Sequence, residues 1–144
     1  MESHLIVRAG GGKDFDYSQD HCFVKLASKE TDGHLCFVED QLKPGFRLGR
    51  HHHKIMTEVF YILEGEVIFE FDDETLTTGP GDSLTVPPSV WHAAECKNGG
   101  RMLTVFLNGR FDEYLEKLKS MSAQDFENAE LMQQINAEFD IYES

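Results

Sequence analysis

Short, regularly spaced runs of strand-forming residues constrain the fold of this chain more than any other feature of its sequence. Between about residues 21 and 107, β-branched and aromatic runs alternate with turn-forming Gly, Pro, Asp and Ser residues. We predict strands over residues 21–27, 33–39, 57–63, 66–71, 74–78, 83–86, 92–96 and 101–107. Strands that are interrupted this often are typical of a β-sandwich or a β-barrel.

Two further segments bear on this β region. Residues 5–7 are apolar and precede a run of three glycines, so we predict a short N-terminal strand followed by a loop. The segment 59–63 is apolar on both faces, which is typical of a strand that is covered on both sides. The inner cover would be the barrel core. The outer cover would be the C-terminal tail or a second subunit, and on this basis we predict a homodimer.

The spacing of apolar residues changes after Leu107. Phe111, Tyr114, Leu115 and Leu118 follow a helical period, and so do Leu131, Met132, Ile135, Phe139 and Tyr142. Ser122 and Asp125 resemble a capping box that begins a second helix. We therefore divide the chain into a barrel with its N-terminal strands over residues 1–107 and an amphipathic helical extension over residues 108–144. We identify no chemical function in this extension.

The charge and the cysteines exclude several classes of protein. Lys and Arg total 13 against 26 Asp and Glu, and the formal net charge of −13 argues against nucleic acid or an anionic membrane as a partner. The three cysteines form no Cys-x-x-Cys pair, so neither a disulfide framework nor a thiolate zinc site is indicated. With no signal peptide or apolar span in the sequence, we predict a cytoplasmic protein.

Three consecutive histidines are the most prominent chemical feature. In an extended segment His51 and His53 point to one face and His52 to the other. Glu58 can join His51 and His53 if the chain turns over residues 54–57. His92 follows a stiff Pro-Pro-Ser turn and is a candidate fourth ligand. Imidazoles and a carboxylate suit a divalent Fe, Mn, Co, Ni or Zn ion, so the pattern predicts a metal site.

These residues lie within a pattern that resembles the two signatures of the cupin superfamily. The first signature, over residues 45–65, is matched in spacing by Gly45, His51, His53, Glu58 and Gly65. The second, over residues 81–96, is matched by Gly81, Pro87, Ser89 and His92. Two departures are Ser89, where the pattern usually has Gly, and Cys96, where it usually has Asn.

The resemblance implies an all-β fold, a double-stranded β-helix (jelly-roll) barrel like that of small, single-domain, quercetinase-like cupins. It also implies one divalent metal ion per chain, bound by His51, His53, Glu58 and His92. Glu58 is in addition a candidate general base. His4, His21 and His34 lack ligand spacing, and we interpret them as surface or strand residues, whereas His52 faces the solvent or supports the ligands.

The residues around the proposed ligands predict an apolar substrate pocket. A strand that directs Glu58 inward also directs Phe60 and Ile62 inward, and Phe46 and Phe106 are further candidates for the lining. Trp91, beside His92, would form the pocket rim or pack in the core. Such a pocket favours a small, partly apolar ligand that chelates the metal through oxygen atoms.

Three functions remain open from the sequence. The aromatic lining favours a metal-dependent dioxygenase that acts on a small aromatic or enol-type substrate. The first alternative is a redox-neutral isomerase, lyase or cyclase, in which the metal polarises a carbonyl. The second is a non-catalytic cupin that binds a small molecule. The fold alone does not decide between them, since one scaffold supports many chemistries.

Overall fold

The structure is a computed structural model, and it describes residues 3–144. Two antiparallel sheets form the body of this part of the chain. Their strands are β1 (Lys13–Asp16), β2 (Asp20–Leu26), β3 (Leu35–Leu42), β4 (Phe46–His52), β5 (Thr57–Glu64), β6 (Val67–Phe71), β7 (Thr75–Thr78), β8 (Ser83–Val86), β9 (His92–Cys96), β10 (Gly100–Leu107) and β11 (Tyr142–Glu143). The predicted all-β cupin-type barrel is confirmed, and so is the C-terminal helical part.

Three helices follow β10: α1 (Phe111–Lys119), α2 (Ala123–Glu127) and α3 (Ala129–Glu138). The predicted capping box begins α2: the Ser122 hydroxyl accepts the Asp125 N–H at 3.2 Å, and the Asp125 carboxylate accepts the Ser122 N–H at 2.9 Å. A 3₁₀ turn, Ser28–Thr31, links β2 to β3. Within residues 3–144, none of the helices has both the length and the apolar character that crossing a membrane requires.

The strand order brings the proposed ligands to one region. The six-stranded sheet has the order β1-β2-β3-β10-β5-β8, and the five-stranded sheet has the order β11-β4-β9-β6-β7. In the second sheet β4 pairs with β9, so that His51 lies opposite His92. In the first sheet β5 pairs with β10, so that Glu58 lies opposite Phe106.

The main core lies between the inner faces of the two sheets. Phe60, from the first sheet, packs against Phe69, from the second, with ring centroids 5.0 Å apart. Ile62 and Cys96 belong to the same buried cluster. All three cysteines are buried and free. The alternation of buried and exposed residues along β5 and β6 therefore follows the pleat of two sheets that face each other.

A second buried cluster closes the end of the barrel near the helices. Phe106 of β10 stacks on Phe111 of α1, with ring centroids 4.4 Å apart and the planes tilted by 11°. The Asp112 carboxylate of α1 accepts the backbone N–H of Ser28 at 3.1 Å, which ties the helix to the 3₁₀ turn. Helix α1 thus covers one opening of the barrel.

Two sequence predictions about the chain ends were wrong. Residues 5–7 form no strand, and the Lys25 ammonium holds the segment that follows them by donating to the carbonyls of Arg8 and Gly11. Tyr142 is not helical, because Asp140 adopts a left-handed conformation (φ 63°) that ends the helical region and turns the chain into β11.

The return of β11 to the five-stranded sheet joins the tail to the barrel. Tyr142 pairs with His52 and Glu143 with His51. Residues 108–144 contain the three helices and also β11, which belongs to a barrel sheet. The division into a barrel over residues 1–107 and an extension over residues 108–144 therefore stays a prediction.

The outer face of β5 is only partly covered. Tyr61 is 44% exposed, whereas Val59 and Leu63 are half-buried. Leu63 lines a shallow surface cavity together with Leu5 and Val7. Some of the cover that we expected from the C-terminal tail or a second subunit is therefore supplied by the N-terminal segment.

The core packing predicts a large effect of truncating Phe69, which is fully buried. Phe69→Ala should lower the free energy of unfolding by about 3–5 kcal/mol, because it removes apolar contacts and leaves a cavity against Phe60. Urea denaturation followed by circular dichroism measures this change. Thr77→Ala, on the exposed face of β7, is the control and should cost less than about 1 kcal/mol. Equal losses in the two variants would contradict the assignment of the inner faces.

Candidate metal centre

Four buried side chains from separate segments converge inside the barrel. His51 lies on β4, His53 immediately follows that strand, Glu58 is near the start of β5, and His92 is the first residue of β9. Each of the four is at most 5% exposed. The predicted alternation of the histidine run is observed, because His52 points away and packs against the Trp91 ring, with centroids 4.1 Å apart.

The four side chains are close enough to share one ion. Each offers a nitrogen or oxygen atom, and these atoms all lie within 4.8 Å of one another. His53 Nε2 is 2.5 Å and His92 Nε2 3.0 Å from the same atom, Glu58 Oε1. The His51 and His92 ring centroids are 4.2 Å apart. Three imidazoles and one carboxylate suit a divalent transition metal, and this donor set does not decide which one.

Backbone carbonyls fix the orientation of all three rings. Nδ1 of His51 is 2.8 Å from the Gly49 carbonyl oxygen, and Nδ1 of His92 is 2.9 Å from that of Val90. Nδ1 of His53 is 2.7 Å from the carbonyl oxygen of Asp140 in the C-terminal tail. Because a carbonyl can only accept a hydrogen bond, each Nδ1 carries a proton. The Nε2 atoms are the ones directed at the site, where they can bind a metal once they carry no proton.

The electrostatics of the cluster favour a cation. Burial alone would raise the pKa of Glu58, but hydrogen bonds from His53 and His92 outweigh it and lower the pKa to about 2. Burial, with a contribution from His92, lowers the pKa of His51 to about 4. Burial also opposes charge on His53, but its hydrogen bond to Glu58 raises the pKa of that ring. At neutral pH the site therefore contains an ionised carboxylate and a neutral His51, both of which are in the state that binds metal.

The departure of the sequence at Ser89 has a local conformational cost. Ser89 has φ 69°, in the left-handed region that glycine adopts freely, which explains why glycine is usual there. A non-glycine residue in this region costs about 1–2 kcal/mol. The Ser89 N–H donates to the His53 carbonyl at 2.6 Å, so the turn still contacts the residue that carries a ligand.

A cavity of about 270 Å³ opens onto the metal centre. His51, His53 and Glu58 lie at its polar end. The predicted lining residues Phe46, Phe60 and Phe106 contribute to its wall. This arrangement gives an apolar, aromatic space beside the four ligands, as the sequence suggested.

Two residues that we predicted to line the pocket, Ile62 and Trp91, lie outside it. Ile62 points inward but is 1% exposed in the main core, because four residues along β5 from Glu58 correspond to roughly 13 Å. Trp91 points away from its neighbour His92, and its ring stacks under the Arg50 guanidinium at 4.1 Å. Neither lines the cavity.

The cavity also includes residues that the sequence analysis did not identify. One group is polar and comes from β2, β3 and β10: Asp20, Asp40 and Thr104. The other group comes from the tail, to which we had assigned no chemical function: Phe111, Tyr114, Leu115, Leu118, Ile141 and Glu143. The helical period predicted an apolar face on α1, but the sequence contains no signal that this face closes the metal cavity.

Comparisons with known proteins agree with this fold. Residues 38–107 match the model of the cupin domain family, Cupin_2. Quercetin 2,3-dioxygenase from Bacillus subtilis is 32% identical over 96 residues, which cover 66% of this chain. The match spans 28% of the length of that relative.

Solved structures share the fold at low sequence identity. An RmlC-like cupin from Shewanella frigidimarina superposes with a TM-score of 0.65 and 24% identity, covering 77% of this chain and 96% of that one. The polyketide cyclase RemF from Streptomyces resistomycificus superposes with a TM-score of 0.66 and 18% identity, covering 75% of this chain and 82% of that one. Together with the two signatures and the barrel, these matches identify the chain as a small cupin-domain protein, a member of the cupin superfamily.

Proposed function

We propose that this chain is a metal-dependent dioxygenase that acts on a small aromatic or enol-type substrate, which chelates the metal through oxygen atoms. The observation that carries the proposal is the cluster of three histidines and one glutamate at the end of an aromatic cavity. The similarity to quercetin 2,3-dioxygenase over 66% of the chain supports the same reaction class. Because that match spans 28% of the relative, the activity and substrate of the relative are carried over only as a proposal.

The protein residues have distinct tasks in this proposal. His51, His53 and His92 hold the ion through Nε2, and the ionised Glu58 adds the negative charge. A bound divalent metal supplies Lewis acidity, open coordination positions and, for a redox-active ion, electron transfer. Glu58 is the proposed acceptor of a proton from a substrate hydroxyl. The Nε2 atoms that now hydrogen-bond to Glu58 would then bind the metal, and Glu58 would have to loosen from the ion in order to accept that proton.

The walls of the cavity support a small, flat substrate. Phe46, Phe60 and Phe106 present apolar surface on the barrel side and exclude water from the reacting groups. At about 270 Å³ the cavity is below the range of roughly 300–1,000 Å³ that is usual for drug-sized ligands. A substrate with one or two rings fits this volume better than a large polyphenol.

A carboxyl pair, the buried Asp40 and the half-buried Asp20, adds further polar groups to the cavity wall. Burial, followed by the neighbouring Asp40, raises the pKa of Asp20, and burial raises the pKa of Asp40. Oδ1 of Asp20 is buried without a hydrogen-bond partner, while the Thr104 hydroxyl donates to Asp40 at 3.1 Å. We propose that Asp20 stays protonated at neutral pH and donates a hydrogen bond to a substrate oxygen.

The same carboxyl pair favours one alternative, a redox-neutral isomerase, lyase or cyclase. A neutral carboxyl and an ionised carboxylate that line one cavity are the acid and the base that proton transfer requires. The fold that is shared with RemF is compatible with this alternative, although the likeness at 18% identity concerns the fold alone.

We also propose a homodimer that forms through the outer face of the six-stranded sheet. Tyr61 is 44% exposed and Ile6 is 63% exposed on the described chain, so apolar surface remains available on the N-terminal segment and β5. Isologous pairing of such a surface is the commonest route to a dimer.

The reaction class can be tested by oxygen uptake. Protein loaded with Fe²⁺, Mn²⁺, Co²⁺ or Ni²⁺ is mixed with a panel of catechols, flavonols and small enols in an oxygen electrode, and products are identified by mass spectrometry. The proposal expects oxygen consumption that depends on both metal and substrate. Turnover that persists without oxygen would replace it with the redox-neutral alternative. Saturable binding without turnover in either condition would replace it with a non-catalytic binding protein.

Loss of a ligand should remove the metal but keep the barrel. Since contacts that only orient a ligand contribute about 10- to 100-fold to metal affinity, His53→Ala should weaken binding by more than about 100-fold. Elemental analysis and metal titration measure the loss, and circular dichroism checks the fold. His34→Ala is the matched control, because His34 is exposed and outside the cluster. Full metal occupancy in His53→Ala would contradict the ligand assignment.

The raised pKa of Asp20 predicts a pH-dependent gain from Asp20→Asn. The unfolded chain releases this proton near pH 3.8, whereas the folded chain keeps it to higher pH, so wild-type stability falls as pH rises above that value. Asparagine cannot ionise, and the variant should be more stable than wild type by about 1–2 kcal/mol at about pH 8 and equal to it near pH 4. Thermal unfolding of both proteins across this range measures the difference. A difference that does not change with pH would mean that Asp20 is ionised in the folded protein.

A further inference from the structure

The backbone carbonyls that accept hydrogen bonds from the three histidine rings lie at very different sequence separations from those histidines. The carbonyls that hold Nδ1 of His51 and His92 belong to Gly49 and Val90, two residues earlier on the same segment. The carbonyl that holds Nδ1 of His53 belongs to Asp140, 87 residues later. Two ligands are thus oriented by their own segments, and one is oriented by the C-terminal tail.

The Asp140 side chain fastens the tail to the turn that follows His53. Its carboxylate accepts the backbone N–H groups of Lys54, Ile55 and Met56 at 2.8, 2.9 and 2.8 Å. Hydrogen bonds to a charged acceptor are about twice as strong as neutral ones. Asp140 therefore contacts the same turn twice, with its carboxylate on residues 54–56 and its carbonyl on the His53 ring.

The backbone conformation of Asp140 is suited to this double contact. Its φ of 63° lies in the left-handed region, which aspartate and asparagine tolerate better than other non-glycine residues. Directly after Asp140 the tail is held by two contacts: the Ile141 N–H donates to the Asn136 carbonyl at 2.8 Å, and Tyr142 of β11 pairs with His52. The Lys54 ammonium lies 4.2 Å from the Tyr142 ring centroid.

We propose that Asp140 is a positioning residue for the metal ligand His53. Its carboxylate holds residues 53–56 against the tail, and its carbonyl then keeps the His53 proton on Nδ1 and directs Nε2 at the ion. The C-terminal segment 140–143 thereby becomes part of the metal centre. This inference rests on metal binding by the cluster and is independent of whether the reaction is a dioxygenation.

The expected loss of metal affinity follows from what ligand-orienting contacts contribute in other metal sites. Loss of a group that orients a histidine ligand weakens metal binding by about 10- to 100-fold. Asp140→Ala removes the three bonds to the turn and also strains the left-handed backbone. Asp140→Asn keeps the left-handed preference and one acceptor oxygen but loses the charge, so its affinity should lie between those of wild type and Asp140→Ala.

The experiment titrates metal-free, full-length protein with Co²⁺, whose visible absorption bands report both affinity and ligand geometry. Wild type, Asp140→Asn, Asp140→Ala and the control Asp125→Ala are compared, and the melting temperature of each metal-free protein is recorded. Asp125 is a matched control because it too is a tail aspartate whose carboxylate accepts a backbone N–H. We expect dissociation constants raised by about 10- to 100-fold in Asp140→Ala and changed by less than about threefold in Asp125→Ala.

NMR of the histidine N–H groups separates positioning of His53 from general stabilisation of the protein. In ¹⁵N-histidine protein loaded with Zn²⁺, the His53 Nδ1 proton should exchange slowly in wild type and faster in Asp140→Ala, whereas those of His51 and His92 should be unchanged. Wild-type Co²⁺ affinity in folded Asp140→Ala, or an equal loss in Asp125→Ala, would overturn the proposal. If Asp140→Ala does not fold, Asp140→Asn decides: weaker Co²⁺ binding at an unchanged melting temperature supports the proposal, and wild-type binding overturns it. Absence of Co²⁺ binding by wild type itself would instead contradict the metal site.

Discussion

The buried negative charge of Glu58 is the constraint on which the rest of the site depends. This carboxylate is 3% exposed, and a charge so far from water is tolerated only when other groups compensate it. His53 and His92 do so from two different segments, and a divalent cation would do so more completely. The barrel must therefore hold β4, β5 and β9 in register around one point, which explains why the site lies where the two sheets meet.

The sequence predicted the parts of this arrangement that depend on local pattern. The bounds of β8 and β9 were correct to the residue, because turn residues flank short alternating runs. The four proposed ligands were identified from their spacing and from the resemblance, and the structure brings them together; the alternation of β4 and a short turn before β5 account for His51, His53 and Glu58. The depth of a side chain along its strand is not encoded in this way. Phe60 reaches the cavity and Ile62 does not, although both point inward.

The contribution of the tail could not be predicted, because its contacts join residues far apart in sequence. A helical period identifies the apolar face of α1 but not the surface that this face covers. The contact between Asp140 and His53 spans 87 residues, and a single aspartate among many acidic residues carries no recognisable signal. The short strand β11 was not predicted: Tyr142 continues the helical spacing of α3, and the turn between them, at the left-handed Asp140, has no clear sequence signal.

The cavity wall is built from two parts with different freedom to change. The barrel side carries the ligands and the main core, so substitutions there affect metal binding and folding together. The side formed by α1 and the segment after α3 contributes Tyr114, Leu118 and Ile141, which belong to neither the main core nor the ligand set. Tyr114 and Leu118 of α1 can therefore vary without altering the four clustered side chains or the segment 140–143 that contacts His53, so combinatorial libraries for altered ligand specificity are best placed on α1.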